Sequence, residues 1–530
     1  MGKIEKWLVA ATCMVIVALF TNFFYQTSAL KHLDSVFLYE SSQSVIDSGR
    51  ATSRTIATWP FVLRSFTQPV ESVCKDDLDL EKLTPYNVLD NHAYAALYLI
   101  APLTALVGPE LTFAFLSALA HVLLLIIPYV FLRRQGGRLL PCLAFVFCIS
   151  LYPAWSYSMV GDYYLDRLYM PFALLSLFFM HAIAQRDGQG TDRRLVLGFI
   201  VSAVIAALFT ERAAIMMAAE IVFFLLFFPR IRKSPLVRNA VLVLLAILMG
   251  YLYIYLRFFY VGMENGGSLL IVANIEMLKN TVLRFQVPEI SAFLLVNLLF
   301  IGIFVPFAGF RYVVLVVGAM MPNLLIPIGG AEFNGWTTHY HAMYLPFVIF
   351  GASIGYLRVI RFFNGNYGCF MLPLIIGVYV LLAASHLNPF SAKYEKQVLW
   401  IDSKNIWGTI SSYYLNTGRS EKRFQVEKLK ELGSIIPSGA KVSAIDGVIS
   451  SLYKSRLLSL YPVGIDSADY LIVAGTANAG RVTTMSGAVS FFGKAETDAL
   501  NLCLSKRIVK SGFVFVKAID PIGILVFKRN

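Results

Sequence analysis

Apolar residues in this chain come in long unbroken blocks parted by short polar gaps, not in the two-residue alternation of a half-buried strand. Typical blocks run about 17–25 residues, the length an α-helix needs to cross roughly 30 Å of hydrocarbon. The first, Trp7 to Leu30, is followed by a polar stretch that reaches to about Asn91. Further blocks lie at about 110–132, 139–160, 168–185, 195–211, 213–229, 239–259, 289–310, 312–329, 342–357 and 367–386. One more apolar stretch, 93–107, has about 15 residues and contains Pro102, which is short for a span. It reads as an interfacial or re-entrant helix. The pattern therefore predicts an α-helical polytopic membrane protein of about 11 transmembrane helices.

The last ~140 residues have a different texture. Lys441 to Ile445, Tyr470 to Ala474, Phe513 to Lys517 and Gly523 to Phe527 read as short strands. A helical stretch at Arg423 to Leu432 precedes the turn signal Pro437-Ser438-Gly439. The expected organisation is a transmembrane domain over 1–386, whose first outer loop is 31–109, and a small α/β domain over 387–530.

Composition agrees with a membrane class: 57% of residues are hydrophobic, only 15% are charged, and the mean hydropathy is +0.66. A soluble chain would carry roughly 25% charged residues. The net charge of +13 does not point to nucleic acid, because Lys and Arg gather in the gaps between blocks and form no basic stripe with exposed aromatics. Such gaps mark cytoplasmic loops. The clusters are Arg133, Arg134 and Arg138; Arg186, Arg193 and Arg194; Arg230, Arg232, Lys233 and Arg238; Arg311; and Arg358 with Arg361. If each is cytoplasmic, two spans separate successive clusters, the N-terminus with Lys3 and Lys6 is inside as a signal anchor, and the tail domain is outside.

Cys13, Cys142, Cys148 and Cys369 sit in apolar blocks, which leaves Cys74 and Cys503 for at most one disulfide; no metal-type spacing occurs. The absence of an N-x-Ser/Thr sequon favours a bacterial inner membrane over a eukaryotic secretory one.

On this topology the outer gaps collect the chemistry. The first loop brings Asp34, Glu40, Arg50, Arg54 and His92; later gaps bring Asp162, Tyr164, Asp166 and Arg167, then Glu211 and Arg212, then His339, Tyr340 and His341. Asp34, just beyond the first block, is an ionisable group at a membrane surface and hence a functional candidate. Its structural alternative is a helix N-cap. Asp162 and Asp166, four apart, are spaced to share a helical face. His121 and His181 fall within or at the inner end of blocks and read as packing residues.

One long outer loop after the first span, with an acid at its start, resembles the GT-C superfamily of membrane glycosyltransferases, and more closely a bacterial GT-C-related family of membrane proteins. The resemblance runs through Leu33-Asp34-Ser35-Val36-Phe37 with Asp47-Ser48-Gly49, and His92 to Pro102. It continues through Asp162-Tyr163-Tyr164 to Pro171, Thr210-Glu211-Arg212, His339 to Pro346, Ile436 to Val442, Tyr461-Pro462 and Asp469 to Ile472. Where those relatives usually carry His after an Asp-aromatic pair, this chain has Tyr164.

The resemblance implies a sugar donor carried on a polyprenyl phosphate and an envelope glycan or lipid, such as an O-antigen or lipopolysaccharide component, as acceptor. It implies Asp34 as the general base, since an acceptor hydroxyl must lose its proton as it attacks. Cations should meet the departing lipid phosphate, for which Arg212 and Arg167 are the candidates. Glu40, His92, Asp162, Tyr164, Glu211, His339 and Tyr340 complete the expected substrate-binding set. No cofactor is fixed, and a divalent cation stays open. The competing reading is a transporter or flippase of lipid-linked glycans, which would place charges near mid-membrane in two repeated halves; here the charges gather at one surface.

Overall fold

A computed structural model describes residues 2–58, 79–90, 92–152, 154–155, 159, 162–186, 193–260, 301–325, 339–362, 373, 377, 414–415, 421–475, 482–483, 494–519 and 522–530. The first helices are α1 (Lys3–Gln26), α2 (Leu33–Ser48), the single turn α3 (Arg54–Ala57) and α4 (Ala96–Val107). Next come α5 (Pro109–Arg134), α6 (Leu139–Leu151), α7 (Leu165–Gln185), α8 (Arg193–Ala207), α9 (Glu211–Phe227) and α10 (Pro229–Lys233). They continue with α11 (Pro235–Ile254), α12 (Phe310–Leu325), α13 (Leu345–Phe362), α14 (Glu421–Ile435), α15 (Asp446–Ile449) and α16 (Lys494–Lys510).

Among the described residues, five helices are long and apolar enough to cross a membrane: α1, α5, α7, α11 with its extension to Phe259, and α13. Other predicted blocks are shorter as helices. α6 stops at Leu151 because Tyr152 precedes a proline and takes an extended conformation, φ −66° and ψ 125°. The predicted spans at 289–310 and 367–386 lie largely outside the described residues; of the first, a 3-10 stretch Ile301–Ala308 is described.

The chain forms two compact units, one of Met1–Thr21, Leu89–Ala96 and Phe115–Ile410, the other of Asn22–Val88, Leu97–Ala114 and Ser411–Asn530. In the first unit the basic clusters share one end. Arg133 at the close of α5 holds Glu5 at the start of α1, with Nη2 2.7 Å from Oε2, and Tyr129 donates to the same carboxylate at 2.8 Å. Arg361 reaches Gln135 at 3.1 Å, Arg230 reaches the Gln185 carbonyl at 3.1 Å, and Arg311 lies 5.4 Å from the Phe228 ring. α1 therefore departs from the end at which α5 arrives, so the chain between them makes no net crossing. α4, with 12 residues, is about 18 Å long at 1.5 Å per residue, well short of a span.

α13 is buried on nearly every side, from Leu345 to Ile360, as befits a helix apolar all round. Phe145 stacks on Tyr356 at 4.8 Å and Phe304 meets the same ring edge-on at 5.0 Å. The close approach of Ile301–Ala308 to α13 depends on Gly355, where an added Cβ would collide with the Phe304 carbonyl. Gly355→Ala should therefore lower the thermal midpoint of the purified protein by several degrees, an overpacking cost of roughly 1–3 kcal/mol or more. An unchanged midpoint in a fluorescence melt would show that this crossing yields freely.

In the second unit the tail folds as a sheet in the order β4-β3-β5-β8-β7. Its strands are β3 (Lys441–Ala444), β4 (Leu457–Leu460), β5 (Tyr470–Gly475), β7 (Phe513–Ile519) and β8 (Ile524–Arg529), with β6 (Val482–Thr483) paired to β5; β1 (Thr52–Ser53) pairs with β2 (Tyr86–Asn87) in the first loop. β3 is parallel to both β4 and β5, and β8 is antiparallel to β5 and β7. The four strands expected from the sequence are all present; β4, β6, α15 and α16 are additions.

The first loop is laced to this sheet. Leu460 N–H donates to Thr58 Oγ1 at 3.2 Å, Ser450 Oγ to the Ser28 carbonyl at 2.9 Å, and Leu80 N–H to Ser467 Oγ at 3.2 Å. Leu80 packs over Gly464, whose φ of +76° and lack of Cβ both suit the contact. Cys503 is disulfide-bonded, while Cys13, Cys142 and Cys148 are free.

Candidate functional site

In the first unit, at the end away from the basic clusters, residues from three separated segments meet. The chain turns between α8 and α9, and Thr210, in extended conformation, caps α9 by accepting from Arg212 N–H at 3.0 Å. That cap fixes Glu211 and Arg212 in the first turn. Glu211 takes hold of the segment before α4: Oε1 lies 3.1 Å from His92 Nδ1, and Oε2 accepts from Ala93 N–H at 3.0 Å. Ala96 N–H donates to the Leu208 carbonyl at 2.8 Å and Tyr251 Oη to the Ala93 carbonyl at 3.0 Å, so the His92 segment is pinned from two helices. His92 stacks on Tyr94 with ring centroids 4.8 Å apart.

Arg212 faces α7. Its Nη1 stands 3.5 Å from Asp166 Oδ2 and its Nε 3.9 Å from Glu211 Oε1; a third of its side chain is exposed, against 2% for Asp166. Arg167, the next residue on α7, is buried; it donates to the Asp162 carbonyl at 2.7 Å and lies 4.9 Å over the Tyr164 ring. The sequence reading put Asp162 and Asp166 on one helical face. α7 begins only at Leu165, so Asp162 sits in the preceding bend and Asp166 alone belongs to the helix.

Asp34 and Glu40 belong to the second unit. Asp34 is half-buried in the first turn of α2. Glu40 neither floats in solvent nor stands free: Ser53 Oγ donates to Oε2 at 2.6 Å, Thr55 N–H to the same oxygen at 3.0 Å, and Thr55 Oγ1 to Oε1. Burial pushes the Glu40 carboxyl above its ordinary value, and these Ser53 and Thr55 donors work against the rise. It is a clasp within its own loop. Arg50 and Arg54 are exposed, as solvated loop charges should be. His339 and Tyr340 open a 3-10 turn, His339–Ala342, before α13; their side chains lie outside the described residues.

Asp166, singled out in the sequence for its spacing from Asp162, is the buried partner of Arg212. One participant escaped the sequence reading. Asp446, in the tail, stands 3.1 Å from His32 and accepts from Leu33 N–H at 2.8 Å, both next to Asp34. Burial disfavours ionised Asp446, but the bonds from His32 and Leu33 outweigh it and hold the carboxyl below the usual range. Only Asp446's position after a predicted strand hinted at it. Among the described residues, no group of three His, Cys, Asp or Glu stands close enough to hold a metal.

The crystal structure of ArnT from Cupriavidus metallidurans bound to undecaprenyl phosphate superimposes on this chain with a TM-score of 0.50. The match covers 99% of this chain and 98% of that one at 11% identity. The fold is of the GT-C type. No family model and no curated protein sequence matches the chain. A likeness at that identity concerns architecture: several apolar helices followed by a small C-terminal sheet domain, as GT-C resemblance in the sequence led us to expect. His121 and His181, read as packing residues, are buried within the helices of this GT-C fold, His121 against the Ser117 carbonyl and His181 against Tyr312 Oη, both at 2.7 Å.

Proposed function

We propose that this protein is an integral membrane glycosyltransferase that moves a sugar from a polyprenyl-phosphate-linked donor to an envelope glycan or lipid. The observation that supports this most directly is the gathering of Arg212, Arg167, Asp166, Glu211 and His92 at one end of a GT-C fold, opposite the basic clusters. A structure of the same fold holds undecaprenyl phosphate. By the positive-inside rule the basic end is cytoplasmic, so the cluster faces the periplasm. The disulfide at Cys503 favours the same side, since disulfides persist in oxidising compartments.

In the reaction, Asp34 takes the proton of the acceptor hydroxyl as it attacks the anomeric carbon. The bond from that carbon to the phosphate oxygen breaks, and the lipid phosphate leaves with an added negative charge. Arg212, its orientation set by Asp166 and Glu211, meets that charge with its exposed edge. Arg167 supports it, and His92, Asp162, Tyr164, His339 and Tyr340 line the substrate. Glu40 holds the loop that carries Asp34.

A strain lacking the protein should lose one sugar from an envelope glycan and accumulate its lipid-linked donor on the periplasmic leaflet. A membrane-impermeant glycan label applied to spheroplasts should then react with the accumulated lipid. Donor shielded from that label would instead indicate a flippase.

A further inference from the structure

β3 is the middle one of three parallel strands, with β4 on one side and β5 on the other. The chain leaves the C-terminal end of β3 for β4 on one side, and the connection from β4 then passes to β5 on the other. In open α/β sheets ligands bind outside the carboxyl ends of the strands. Asp446 stands there, two residues beyond β3 and first in α15. Its place is set from both sides, because Ile445 N–H donates to the Ile472 carbonyl at 3.0 Å and Tyr461 N–H to the Ala444 carbonyl at 2.8 Å.

The start of α2 meets Asp446 at this end of the sheet. His32 is the N-cap of α2, in extended conformation, and its side chain makes no cap bond. The first N–H of the helix, that of Leu33, is instead taken at 2.8 Å by Asp446 Oδ1, a carboxylate 413 residues away in sequence. His32 Nδ1 stands 3.1 Å from the other oxygen. With 46% of the Asp446 side chain exposed, that ion pair is screened by solvent, and the amide contact is the effective one.

We infer that Asp446 is a positioning residue: by capping α2 across the sheet it aims Asp34, the next residue after Leu33, at the acceptor hydroxyl. The inference rests on Asp34 acting as the base. A general base must lie within about 2.6–3.2 Å of the proton it takes. Freeing the first turn of α2 would let Asp34 leave that range. The rest of α2 stays anchored without Asp446, through Glu40 to Ser53 and Thr55, and through Thr58 to Leu460.

The test compares wild type, Asp446→Ala, Asp446→Asn and Asp34→Asn, each expressed at matched membrane levels in the deletion strain. The initial rate of sugar addition to the envelope glycan is read after induction, and hydrogen exchange over residues 33–40 is measured on the purified full chain. Asp446→Ala should slow addition at least about tenfold and speed first-turn exchange, since misplacement of about 1 Å can cost as much as 100-fold. Asp446→Asn, which keeps the acceptor for Leu33, should stay within about threefold of wild type and retain protection. A silent Asp34→Asn beside a wild-type rate in Asp446→Ala overturns the positioning role alone. Equal losses in the Ala and Asn variants, or slowed addition with unchanged exchange, overturn it as well. A wild-type rate in Asp34→Asn removes the base assignment, and the positioning role with it.

Discussion

Asp34→Asn should abolish sugar transfer while leaving the protein at its normal level in the membrane. Removing a general base costs about 10²–10⁴ in rate. Its structural cost is small, because Asp34 is half-buried and asparagine is nearly isosteric with it; its negative charge lies near the N-terminus of α2. That interaction is worth about 0.3–1 kcal/mol, a minor part of the roughly 5–15 kcal/mol that holds a domain together. Asparagine keeps the shape of the side chain and one acceptor oxygen, and loses the charge and the basicity. Glycan analysis set beside immunodetection of membranes separates the two effects. An intact glycan in the variant would remove the enzymatic assignment, and a missing protein would assign Asp34 a structural role in the first turn of α2.

What the sequence disclosed follows from the range of the forces involved. The apolar blocks and the strand at Tyr470 are local patterns, and the folded chain repeats them. The charge clusters were legible because each marks a block end, and Glu5 with Arg133 or Arg361 with Gln135 shows those ends brought together. β4 was missed because Leu457–Leu460 is four residues buried on all positions, with no alternation to reveal it. α16 was missed because its polar sequence carries no clear apolar stripe. Asp446 was illegible for a different reason: its partner is 413 residues away, and no local rule ties the end of a tail strand to the cap of the second helix. Glu40 was recognised as an acid of interest, but only the fold of Ser53 and Thr55 around it shows that its oxygens are engaged within the loop.

Arg212 offers the second large effect, and the paired acid makes it separable. Arg212→Ala removes one cationic donor from the departing phosphate, a loss of about 10²–10³ in rate by analogy with other charge-stabilising donors. It also takes a cation away from Asp166, whose side chain is only 2% exposed, at a cost of roughly 3 kcal/mol or less because a third of Arg212 faces solvent. The single variant should therefore be both inactive and less stable. Adding Asp166→Asn removes the buried carboxylate, so the double variant should regain thermal midpoint in detergent relative to Arg212→Ala while the envelope glycan stays unmodified. Arg212→Lys should fall between, since an ammonium keeps the charge and loses the planar fork that spans phosphate oxygens. Recovery of both stability and glycan in the double variant would reduce Arg212 to a counter-ion for Asp166. Recovery of stability alone assigns it to the lipid phosphate.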